Sequence, residues 1–151
     1  MICSVPGPTN HAGAYIGAMQ SQHWWQDAVV YQVYVRSFAD ANGDGVGDLE
    51  GIRSRMGHLS ALGVDALWLN PCYPSPQFDH GYDVANYLAI HDEYGDIAVF
   101  DALLAEAREH GIKILMDLVP NHCSSEHAWF IEALAAVPGS SERARFYFRD
   151  G

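Results

Sequence analysis

The chain has 151 residues, 49% of them hydrophobic, which suits one domain with a substantial core. Nineteen acidic residues against eight basic ones leave a formal charge of −11, which argues against nucleic acid or an anionic membrane as partner, because both select basic surfaces. No apolar run approaches the length that spans a bilayer, and no basic segment followed by an apolar one opens the chain, so neither an anchor nor a signal peptide is expected.

Residues 1–23 mix Pro, Gly, Ser, Asn and Ala without periodicity and read as a disordered tail. Cys3, Cys72 and Cys123 are odd in number and show no CxxC pairing. They read as free thiols in a reducing compartment, so a cytoplasmic location is expected. From Tyr31 to Phe38 the chain alternates and is rich in aromatic and β-branched residues, the pattern of a strand.

Residues 40–48, DANGDGVGD, follow that strand. Oxygen ligands recur at alternate positions: Asp40, Asn42, Asp44, the backbone carbonyl of Val46, then Asp48, with glycines between them. Carboxylates packed this closely repel one another unless a cation neutralises them, and a hard divalent ion takes several oxygens at short range. A polar surface turn explains the composition but not the spacing. A helix–loop–helix calcium site fails because its twelfth position, a bidentate Glu, is Gly51 here, and a strand rather than a helix enters the loop.

A helix is expected over Leu49 to Leu62, with Ile52, Met56, Leu59 and Leu62 as its apolar stripe. A short strand, Asp65 to Asn70, stops at Pro71, and a loop punctuated by Pro74 and Pro76 follows. Within it, Phe78 to Asp83 places two carboxylates, an imidazole and two aromatic rings in six residues. A sugar presents hydroxyls at its rim and C–H groups on its faces, so Asp79 and Tyr82 suit a glucose pocket. A turn in which Asp79 and Asp83 accept backbone N–H groups explains the same residues.

A second helix runs from Ile97 to His110, with Asp96 as its N-cap. The third strand, Ile112 to Val119, is apolar almost throughout, as expected when both faces are buried. Asp117 near its end needs a partner to be stable there, and His122, past Pro120, can turn into the same pocket. The competing reading is an Asp–His pair that only fixes a loop. His11, His23, His58, His91, His110 and His127 read as solvated or locally bonded. A short helix is expected over Glu126 to Leu134. The β-α-β-α-β-α order favours parallel strands, and each polar cluster falls where a strand ends, the functional face of such sheets.

Four segments together resemble the α-amylase family of glycoside hydrolases, nearest its α-glucosidase and oligo-1,6-glucosidase branch. They are Trp24–Phe38, Asn42–Leu49, Asp79–Asp83 and Asp117–His122. The resemblance implies the first three β/α units of a (β/α)8 TIM barrel over residues 24–122, with 123–151 opening the segment inserted after strand three. It implies that Asp79 bonds glucose hydroxyls, Tyr82 stacks beneath the ring, His122 binds the primary hydroxyl and Asp117 organises the pocket. It also implies a structural Ca2+ or Mg2+ held by Asp40, Asn42, Asp44, Val46 and Asp48, and a small α-glucosidic oligosaccharide as substrate. Retaining cleavage needs two carboxylates about 5–5.5 Å apart, and the resemblance puts both on later strands. Glu126, Glu132, Glu142 and Asp150 stand in no matching context, so no catalytic residue is expected here and the chain reads as an inactive N-terminal fragment. A transglycosylase or isomerase of the same family, such as trehalose synthase, and a non-catalytic truncated relative remain alternatives.

Overall fold

The computed structural model describes residues 23–149. The expected tail, except His23, lies outside them, as do Cys3, His11 and Asp150. Three parallel strands, β1 (Val30–Val33), β2 (Ala66–Leu69) and β3 (Lys113–Met116), form one sheet in the order 1-2-3. Val30, Ala66 and Lys113 lie in one row, and Val33, Leu69 and Met116 in another. The helices are α1 (Val35–Phe38), α2 (Leu49–Ser54), α3 (Met56–Ala61), α4 (Ile97–Glu109) and α5 (Ala128–Ala135).

Side chains alternate across a strand, so each strand offers one face to the helices and one to the other side. Val33, Leu67 and Leu69 point to the helices and pack with Leu49, Ile52, Met56, Leu59, Leu103 and Ala107 in a single core. On the opposite face Trp68 is 40% exposed and Leu115 37%. Sequential parallel strands with their helices on one face are the opening units of a (β/α)8 barrel rather than of a doubly wound sheet, whose strand order reverses. The open face is the one that lines the barrel interior.

The structure corrects three expectations. The first strand ends at Val33, and Val35–Phe38 is a turn of helix, not strand. That turn brings the carbonyls of Arg36 and Ala39 to the N–H groups of Gly47 and Asp48, at 2.7 and 2.9 Å, and so closes the acidic loop. The expected Leu49–Leu62 helix breaks at Arg55, which has φ −104° and ψ 2°. There the Ser54 hydroxyl donates to the Gly51 carbonyl at 2.7 Å, and Arg55 N–H turns to the carbonyls of Ile52 and Arg53, both in competition with the α-helical ladder. Ile52, Met56 and Leu59 remain buried across the break, but Leu62 is exposed. Finally, β3 is not buried on both faces: Lys113 and Leu115 are exposed and Ile114 and Met116 half-buried. On its inner face Lys113 Nζ lies 4.8 Å from the centre of the Trp24 ring, in the 3-10 turn Trp24–Gln26, and its outer edge pairs with no further strand among the described residues.

Helix α4 matches expectation, with Asp96 accepting the Val99 N–H at 2.8 Å. Helix α5 starts at Ala128, two residues later than expected, because His127 caps it by accepting from the Trp129 N–H at 3.1 Å.

Candidate functional site

The loop leaving β2 is organised around Asp83. Its carboxylate accepts the Ser75 hydroxyl at 2.6 Å and the N–H groups of Phe78 at 2.9 Å and Asp79 at 3.3 Å. Burial pushes the Asp83 carboxyl up, but the Ser75 hydroxyl and the backbone donors outweigh it and hold the group below the usual carboxylate range. Within this loop Gln77 (φ 62°) and His80 (φ 53°) adopt left-handed backbone conformations, each costing about 1–2 kcal/mol for a residue with a Cβ. The bonds to Asp83 offset that cost. The turn reading of the segment therefore holds for Asp83, while the Asp79 side chain is exposed and makes no hydrogen bond among the described residues.

The loop reaches across to the exit of β3. Tyr82 donates its hydroxyl to the Asp117 carboxylate at 2.9 Å, and Tyr73 donates to the Asp117 carbonyl at 3.1 Å. Burial first, and the Asp117 bond second, push the Tyr82 hydroxyl up, so it stays a proton donor throughout the neutral range. Among the described residues the partner of the Asp117 carboxylate is the Tyr82 hydroxyl. The bond fixes the Tyr82 hydroxyl at the β3 exit, and its ring is half-buried. His122 lies on the same strand exit, with an exposed side chain that has no hydrogen-bond partner among the described residues.

Three contributors had no signal in the sequence. Tyr73 and Tyr87 are single tyrosines in irregular chain, and only the fold reveals their carbonyl partners. Tyr34, after β1, stands 3.5 Å from His80 Nδ1 and links the first strand exit to the same loop. His91 behaves as a locally bonded residue: its Nδ1 accepts from Glu93 N–H, so Nε2 carries the proton to the Ser75 carbonyl, at 3.2 and 3.1 Å.

The acidic loop after β1 is tightly wound. Asp40 accepts the N–H groups of Gly43 and Gly45 at 2.6 and 2.8 Å, and these, the Gly45 N–H foremost, hold its carboxyl below the usual range. Asn42 accepts from Asp44 N–H at 2.8 Å and donates to the Asp44 carboxylate at 3.0 Å. Asp48 is turned inward as the N-cap of α2, accepting Gly51 N–H at 2.5 Å and Ala41 N–H at 3.2 Å. Among the described residues no three His, Cys, Asp or Glu side chains stand close enough to hold a metal ion. The donor chemistry nonetheless fits a hard cation. Asp40, Asn42 and Asp44 offer only oxygens from one turn, and a carboxylate oxygen with a single N–H partner keeps a lone pair for an ion.

Residues 32–151 match the pattern of the alpha amylase catalytic domain. The chain is 56% identical over 113 residues to an oligo-1,6-glucosidase of Halalkalibacterium halodurans, covering 75% of this chain and 20% of that protein. It is 52% identical over 132 residues to a glucan 1,6-alpha-glucosidase of Streptococcus dysgalactiae subsp. equisimilis, covering 87% and 24%. Among solved structures it superposes on the isomaltulose synthase PalI of Klebsiella sp. LX3 with a TM-score of 0.82 at 43% identity, over 87% of this chain and 24% of that one. The chain thus spans between a fifth and a quarter of the length of these proteins. A sequential parallel sheet, polar clusters at its strand exits and a match over most of the chain agree: this protein belongs to the alpha-amylase family.

Proposed function

We propose that this chain is the N-terminal part of a retaining α-glucosidase that hydrolyses α-glucosidic bonds in small oligosaccharides, and that its β2 and β3 exits form one wall of the glucose pocket. The observation that carries the reading is the 2.9 Å bond from Tyr82 to Asp117, which joins two strand exits into one polar surface. On that surface Asp79 bonds glucose hydroxyls, the Tyr82 ring packs against a C–H face and His122 meets the primary hydroxyl. Asp117 fixes the wall. The nucleophile and the acid/base carboxylate come from outside these residues, so the chain alone is inactive. Asp40, Asn42, Asp44, the Val46 carbonyl and Asp48 hold a structural Ca2+ or Mg2+ that neutralises the loop and has no part in bond cleavage. Three cysteines without a CxxC pattern favour the cytoplasm.

Similarity to an isomaltulose synthase supports a second reading, an isomerase in which a sugar hydroxyl replaces water as acceptor. Proton NMR of the full-length protein acting on isomaltose and on sucrose separates the two. The α-glucosidase reading expects free glucose, appearing first as the α-anomer, and a fall of about tenfold in kcat/KM for Tyr82→Phe, the scale of removing one hydrogen bond. A rearranged disaccharide from sucrose would favour the isomerase. Initial β-glucose would overturn retention.

A further inference from the structure

We propose that Tyr87 is a positioning residue for His122, acting through the backbone of the β3 exit; this rests on the α-glucosidase reading, in which His122 meets the substrate's primary hydroxyl. The His122 side chain is exposed and has no hydrogen-bond partner among the described residues, so the backbone beneath it, which sets the position and direction of its Cα–Cβ bond, is the restraint those residues place on it. The Tyr87 hydroxyl stands 2.7 Å from the Val119 carbonyl and 2.9 Å from the His122 carbonyl. It has one proton and donates to one of them or shares it between both, at the two ends of the same four-residue turn. Burial pushes this hydroxyl up, so the proton is present at any neutral pH.

The ring that carries the hydroxyl is itself held. Tyr73, His127 and Trp129 surround it with centroids at 5.7, 5.5 and 6.4 Å, and His127 is immobilised by capping α5. Just beyond the turn, Ser124 N–H bonds the Val84 carbonyl at 2.8 Å. His122 is therefore suspended between two ties that both originate in residues 84–87. Removing the hydroxyl leaves the aromatic packing and the Ser124 tie in place, so the fold survives while the turn under His122 loosens.

The test uses the full-length enzyme and compares kcat/KM for p-nitrophenyl α-glucoside with kcat/KM for its 6-deoxy analogue, which lacks the hydroxyl assigned to His122. The ratio is taken within one preparation, so the fraction folded cancels. His122→Ala should lower the ratio, Tyr87→Phe should lower it by about tenfold, and the double variant should fall little further than His122→Ala alone, because the two act as one unit. If His122→Ala lowers the ratio and Tyr87→Phe does not, or lowers both substrates equally, the positioning role is wrong while the pocket reading stands. If His122→Ala leaves the ratio unchanged, the assignment of His122 fails, and this inference with it.

Discussion

Replacing Gly51 by Ala sets helix propensity against packing, and the structure says which wins. Alanine favours a helix over glycine by about 1 kcal/mol, so propensity alone makes Gly51→Ala stabilising. A methyl group there would stand 2.5 Å from the carbonyl carbon of Ala39 and closer still to its oxygen, both rigid backbone atoms. Helix α2 would have to retreat from residues 36–39 by about an ångström, and such overpacking costs about 1–3 kcal/mol. The retreat stretches the bonds from Gly47 N–H to Arg36 and from Asp48 N–H to Ala39, each worth about 0.5–1.5 kcal/mol. The net loss is about 1–5 kcal/mol after the propensity gain. Gly57 in α3 is the control, since the nearest atom to a methyl there is His110 Cε1 at 3.9 Å. Gly57→Ala should gain about 0.5–1 kcal/mol from propensity and reduced unfolded-state entropy. Urea unfolding of the full-length protein, followed by far-UV circular dichroism, measures both. Should Gly51→Ala prove as stable as Gly57→Ala, the close approach of α2 to the Ala39 backbone is not what requires glycine.

Asp83→Asn should destabilise the protein by about 1–3 kcal/mol at pH 7, since its amide replaces an acceptor that holds a backbone donor. The folded Asp83 carboxyl lies below its ordinary value of 3.8, so the stabilisation is present above that value and is lost as pH falls through the folded one. The gap between parent and variant should therefore narrow below pH 3.8, and a gap independent of pH would assign the effect to shape rather than charge. Millimolar Ca2+ or Mg2+ should raise the melting temperature of the full-length parent but not of Asp40→Ala or Asp44→Ala, a stabilisation of about 2.7 kcal/mol at a hundredfold excess over Kd; no shift with either ion would remove the metal. Residues 1–151 expressed alone should melt without a sharp transition and leave a chromogenic α-glucoside intact, because Trp68 and Leu115 sit on an uncovered face beside the free edge of β3. A cooperative transition would refute the folding claim, and hydrolysis would show that the reacting carboxylates lie within the chain.

The alternation of strand and helix was legible because periodicity reports burial, and Ile52, Met56, Leu59, Leu103 and Ala107 all reach the core. What periodicity cannot report is a polar contact between distant segments. The apolar pattern of residues 35–38 is the same whether they extend or turn, and only the carbonyl partners demanded by Gly47 and Asp48 decide for the turn. The glycines of the acidic loop also divide in a way that spacing conceals. Gly43 (φ 82°) and Gly45 (φ 91°) supply left-handed backbone in open space, as a loop wound around an ion needs. Gly47 and Gly51 instead admit the backbone of residues 35–39, a packing role that no local signal distinguishes.

The tyrosines at the candidate site follow from the geometry of a parallel sheet. The last ladder bond of β3 is Asp117 N–H to the Leu69 carbonyl at 3.1 Å, and beyond it the chain leaves its neighbour. Backbone carbonyls there have lost their ladder donors, and Val119 is buried away from water. Those of Asp117, Val119 and His122 are met by the hydroxyls of Tyr73 and Tyr87. A hydroxyl on a packed ring can satisfy a carbonyl without imposing a ladder, so the exit can be irregular in backbone yet defined in position. That combination lets Asp117 and His122 sit on irregular chain whose backbone is held in place by tyrosines of the loop after β2.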